Sequence, residues 1–133
     1  MVAPVPSPRP IRQGQVYWID DFPPLDGDRS KRRPVIVISP PIVLRRPATL
    51  VLVVAVSTSP RPTPEDHELI ELPHRGRDPT TTSGLNRPSW AVPRWLLPVE
   101  RSRLVQLAGY ISGDTLRDLL EALDNRWPSA DTP

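Results

Sequence analysis

Asp26-Gly27-Asp28-Arg29-Ser30-Lys31-Arg32-Arg33-Pro34-Val35-Ile36-Val37-Ile38-Ser39 passes from a charged, Gly-containing loop straight into a continuous apolar run. An apolar run of this kind, rich in β-branched residues and stopped by Pro40-Pro41, reads as a central strand. Four cations occupy the five positions from Arg29 to Arg33 at its lip. Pro34 fixes its own φ and biases Arg33 toward extended backbone. Arg33 is therefore expected where the loop ends and the strand begins, a rigid place from which a guanidinium can fork onto a phosphate.

Working outward, the pattern is one of short strands. Gln15-Val16-Tyr17-Trp18-Ile19 is β-rich, within a strand expected over Ile11 to Asp20, and Gly14 lets the chain enter it tightly. Leu50 to Val56 is the most hydrophobic segment and should be the middle of the sheet. Glu68-Leu69-Ile70-Glu71-Leu72 reads as a partly exposed strand. Trp90 to Leu97, interrupted by Pro93, reads as two short pieces, and Val105 to Ile111 as another strand. Between them, Arg75 to Arg87 holds Gly76, Pro79, Gly84 and three consecutive threonines, which marks a mobile loop.

One helix is clear, at the C-terminal end. Ser112 is a good N-cap, Asp114 lies in the first turn where the helix dipole favours an anion, and Leu116, Leu119, Leu120 and Leu123 make one apolar face. Many short strands with one terminal helix predict a mainly β (α+β) fold, a small curled antiparallel barrel with a docked helix. The 133 residues allow one domain with tails, expected as a Pro-rich arm over 1–10, the domain over 11–127 and a tail over 128–133.

Composition narrows the classes of function. Net charge is only +2, so the protein is no polycation, yet its cations are nearly all arginine, with Lys31 the single lysine. There is no cysteine, which excludes disulfides and thiolate metal sites. His67 and His74 stand in polar sequence without companion ligands, so no metal and no cofactor is expected, and both are read as exposed loop residues. No run approaches the roughly 18 apolar residues of a membrane span, and the N-terminal stretch lacks the apolar core of a secretory signal. A cytoplasmic protein with no membrane partner is the expectation.

Two strand ends suggest chemistry together. Arg33 opens one inner strand and Ser57-Thr58-Ser59 closes another, and in an antiparallel sheet such ends lie side by side. A guanidinium that holds a phosphate, beside a hydroxyl that donates to a non-bridging oxygen, suits phosphodiester chemistry. Adjacent strand residues point to opposite faces, so only one of Ser57 and Thr58 can serve. Arg29, Lys31 and Arg32 would add contacts to a nucleic-acid backbone. Arg94 beside Trp95 pairs a cation with a stacking surface, which suits single-stranded RNA, although Trp95 fits a buried interface equally well.

In this order and spacing the chain resembles the MazF/PemK family of toxin endoribonucleases. The resemblance rests on Arg12-Gln13-Gly14-Gln15-Val16-Tyr17-Trp18-Ile19-Asp20, on Gly27-Asp28 and on Arg33-Pro34-Val35-Ile36-Val37-Ile38-Ser39. It continues through the hydrophobic strand Leu50 to Ser59 and the closing block Glu100-Arg101-Ser102-Arg103-Leu104 with its following helix. It implies an SH3-like barrel of the CcdB/PemK kind and a homodimer silenced by a cognate antitoxin. The implied activity is metal-independent cleavage of single-stranded RNA to a 2′,3′-cyclic phosphate. The family's catalytic arginine falls on Arg33 and its catalytic threonine on Ser57, with Thr58 one step away.

One segment departs from that pattern. Arg94-Trp95-Leu96-Leu97-Pro98-Val99 stands where many members carry an acid, an amide and a second arginine. Either Arg94 and Trp95 take over phosphate contact and stacking, or the chain is a barrel that binds nucleic acid or a partner protein without cutting it. A gyrase-poisoning relative of the CcdB type would need a C-terminal Trp-Gly-Ile, and Arg126-Trp127-Pro128 stands here instead.

Overall fold

The two most apolar runs pair with each other at the centre of the sheet. In the computed structural model, which describes residues 10–23, 31–46, 50–58 and 69–127, β1 is Gln15–Phe22, β2 Lys31–Val37 and β3 Leu50–Ser57. They are joined by β4, Ile70–Leu72, β5, Ser89–Glu100, and β6, Gln106–Tyr110. All pairings are antiparallel, in the order β4-β5-β3-β2-β1-β6. The expected arm, the tail, Arg29, Ser59 and His67 lie outside the described residues, apart from Pro10 at the arm's end.

β2 and β3 read as unbroken apolar runs because both of their faces are covered. On one face Val35, Val37, Val51, Val53 and Ala55 meet Tyr17, Ile19, Trp95 and Val99 inside the curl of the sheet. On the other, Ile36, Val54 and Val56 lie with Leu119 and Leu123 of α2, Gly113–Arg126. The helix thus packs on its own sheet. Leu119 is fully buried and Leu123 nearly so, and each contributes about 1.5–3 kcal/mol of apolar burial. The Ser112 side chain accepts a hydrogen bond from the Thr115 amide, the expected N-cap.

Several elements differ from the sequence reading. Past the stop at Pro40-Pro41 the chain makes a single helical turn that the sequence does not announce, α1, Pro41–Leu44, started by Pro41 in the first-turn position that tolerates its missing N–H. Residues 90–97 form one continuous strand within β5, not two pieces. The loop from residue 73 to 88 has no regular structure but is pinned: Ser83 Oγ donates to Pro73 O at 2.7 Å, the Arg75 amide to Leu85 O at 2.8 Å and the Tyr110 amide to Thr82 O at 2.9 Å. Within it the Asp78 carboxylate accepts from the Thr80 hydroxyl and amide, which holds its pKa below the usual value. His74 is buried in this loop, packed near Gly76, and is not the exposed residue its polar neighbourhood suggests.

Candidate functional site

Arg33 sits two residues inside β2, not at its start. Its cross-strand partner in β1 is Ile19. Val35 pairs with Ala55 of β3, and carrying that register two residues outward places Arg33 opposite Ser57. Both residues have the odd-numbered phase of Val35, Val37, Val53 and Ala55, and so belong to the inner face of the curl. Thr58 takes the opposite phase, that of Val54 and Val56, and is exposed. On that register Arg33 and Ser57 share one face at the rim of the sheet, and Thr58 takes the other.

Two irregularities build the surroundings of Arg33. The β1–β2 register shifts between Ile19 and Phe22, where Asp21 has a φ of 51°. This bulge reverses the alternation, so that even-numbered Phe22 joins odd-numbered Tyr17 and Ile19 in the inner core. The β3–β5 register also shifts, between Val54 and Val56, over the stretch of β5 that carries Pro93 and Arg94. Val92 and Trp95, three residues apart, consequently both reach the inner core. Pro93 is tolerated in the strand because the ladder is already interrupted there, and the Trp127 indole N–H at the end of α2 donates to its carbonyl at 3.0 Å.

The outcome is a stack. The Arg33 guanidinium carbon lies 4.5 Å from the centre of the Trp95 ring, within cation–π range. Phe22 meets the same indole with ring centres 5.7 Å apart and planes at 54°. Trp95 is only 6% exposed, and its ring is engaged by Arg33. It is therefore a buried support; of the two places the sequence leaves open for it, an open stacking surface and a buried contact, the fold gives it a buried one. Its Nε1 meets no hydrogen-bond acceptor among the described residues. Arg94 is half-buried beside it. Trp90, half-buried and directly across from Ser57, is an aromatic at this rim that the sequence reading passed over.

The other expected cations are placed differently. Arg32 points away from Arg33. It lies 4.9 Å from the Trp18 ring centre, donates to Gln106 Oε1 at 2.7 Å and approaches Asp20 Oδ1 at 3.5 Å. Lys31 is exposed at the first position of β2. In the closing block, Arg101 donates to the Leu44 carbonyl at 2.9 Å and Arg103 to the Asp20 carbonyl. These two arginines fasten chain segments, while the neighbouring Glu100 is exposed and makes no ion pair among the described residues. No group of three His, Asp or Glu side chains among the described residues could hold a metal ion. No described helix is long and apolar enough to cross a membrane.

Comparison with solved structures finds the same fold repeatedly. The MazF of Deinococcus radiodurans superposes with a TM-score of 0.67 at 17% identity, covering 91% of this chain and 99% of that one. An "endoribonuclease in complex with its cognate antitoxin from Mycobacterial species" gives 0.63 at 18% identity over 90% and 98%. The Mycobacterium tuberculosis toxin MazF-mt6 gives 0.60 at 22% identity over 84% and 93%. Compared by sequence with curated proteins, the chain has no match. The profile of one protein family does match, over residues 12–125, with every strand and nearly all of the helix inside it. By that match, the chain belongs to the PemK-like, MazF-like toxins of type II toxin-antitoxin systems.

Proposed function

We propose that this toxin is an endoribonuclease that cuts single-stranded RNA without a metal, with Arg33 and Ser57 at its centre. The observation that carries the reading is the shared rim: a half-buried guanidinium and a strand-end hydroxyl on one face of neighbouring strands. Arg33 would neutralise the scissile phosphate and stabilise the charge that grows on its oxygens, and Ser57 would donate to a non-bridging oxygen. The ribose 2′-oxygen attacks the adjacent phosphorus and gives up its proton. The bond to the 5′-oxygen breaks, and that oxygen takes up a proton. The products are a 2′,3′-cyclic phosphate and a 5′-hydroxyl.

Likeness to antitoxin complexes of Deinococcus and mycobacterial toxins supports a cognate antitoxin as the partner that silences the site. We place the activity in the cytoplasm, on a homodimer with RNA across the shared groove. Lys31 and Arg94 would contact the RNA backbone.

The test is to incubate the full chain with long mixed-sequence RNA in EDTA and assay for cyclic-phosphate ends. Arg33→Ala should lower cleavage by about 10²-fold or more while the fold survives. Undiminished cleavage by that variant would sink the assignment. A second reading, a barrel that binds RNA or a partner without cutting, is favoured by the segment Arg94 to Leu97, which brings no acid to the rim. Tight RNA binding with no products from any sequence tried would select it.

A further inference from the structure

We infer that Trp95 is a positioning residue for Arg33: its indole face fixes the guanidinium at the rim, and so sets turnover without touching RNA. The inference rests on the proposed role of Arg33. A long, partly exposed arginine side chain samples many rotamers, and each must be lost before the guanidinium can meet a phosphate. Here one of them is selected in advance. The guanidinium carbon stands 4.5 Å from the ring centre, and the ring itself cannot swing, being 6% exposed and braced by Phe22.

The contact is also costly to build, which argues against chance. Trp95 keeps a buried Nε1 with no acceptor among the described residues, so no hydrogen bond explains the choice of indole here. A leucine or methionine would fill the core without that burden. What only an aromatic supplies is a negative face for the cation. Two bulges, at Asp21 and around Pro93, are what carry Phe22 and Trp95 to the Arg33 side of the sheet.

The experiment compares Trp95→Leu, Trp95→Phe and, as a control in the same buried core but away from Arg33, Val99→Ala. Trp95→Leu should lower kcat about tenfold or more, since small misplacements of a catalytic group are costly. KM, and affinity for an uncleavable RNA with 2′-deoxyribose at the cut, should not change. Trp95→Phe keeps a ring face and should stay within about threefold of the parent, because the cation–π contact is weakened but not removed. Val99→Ala should lose thermal stability yet keep its kcat.

A second readout is independent of cleavage. Ring currents should displace the Arg33 Nε–H resonance in the parent and in Trp95→Phe, and Trp95→Leu should return it to the ordinary arginine position. Unchanged kcat in Trp95→Leu, an equal kcat loss in Val99→Ala, or an Arg33 resonance indifferent to Trp95→Leu would each overturn the inference. If Arg33→Ala still cleaves, the assignment of Arg33 fails, and the resonance alone then decides whether Trp95 holds it.

Discussion

At the scale of single residues, a one-step shift along a strand decides whether a side chain can act. Ser57 and Thr58 are chemically interchangeable as hydroxyl donors, and from sequence either could serve. The register of β2 with β3 gives Ser57 the phase of Arg33 and Thr58 the other. Ser57→Ala should therefore reduce single-turnover cleavage by about 10²-fold, the usual cost of one transition-state donor, and Thr58→Ala far less. The reverse order of effects would place the site on the wrong face. Arg32 teaches the same lesson. It was legible only as one more cation, because nothing local reveals that Trp18, Asp20 and the distant Gln106 converge on it.

At the scale of elements, most of what was legible obeyed local rules. The helix α2 follows from a capping serine, an acid in the first turn and leucines three and four apart, all of which act within a few residues. Ser112→Ala should cost about 1 kcal/mol in urea unfolding and leave the rate of RNA cleavage under native conditions unchanged. A loss of cleavage at full folding would mean that the helix start does more than cap. β5 was misread for a related reason. Proline interrupts a ladder, so Pro93 suggested a break between two strands. The strand instead continues through a bulge, and the Trp127 indole holds the Pro93 carbonyl from the far end of α2. That contact spans 34 residues, beyond the reach of any local pattern.

At the scale of the whole molecule, the loop before β5 helps to close the fold. A Cβ at Gly84 would lie 2.1 Å from the Ala108 carbonyl oxygen, and Gly84 also has a φ of +75°. A Cβ at Gly109 would come equally near Thr82 O. Backbone thus lies directly on backbone where this loop meets β6. Gly84→Ala should cost at least about 2 kcal/mol and speed hydrogen exchange at the Tyr110 amide, which donates to Thr82 O at 2.9 Å. Protection equal to the parent would show that β6 does not depend on the loop. Glycines and threonines in sequence signalled a loop, and signalled mobility with it, because turn chemistry reports local backbone freedom and is blind to what the loop packs against.

Sequence by itself determined where most strands run and which one lies at the middle of the sheet, the C-terminal helix and the arginine worth testing. Apolar period, proline stops and caps are properties of neighbours in the chain, and they survive without knowledge of the fold. Tertiary structure alone decided which residues meet. The phase of each strand past its bulge sets the face that a side chain occupies, and pairing across the sheet, not local preference, sets the bulge. That is why Arg33 could be singled out in advance, whereas Trp95 and Phe22 beneath it became evident only in the folded chain.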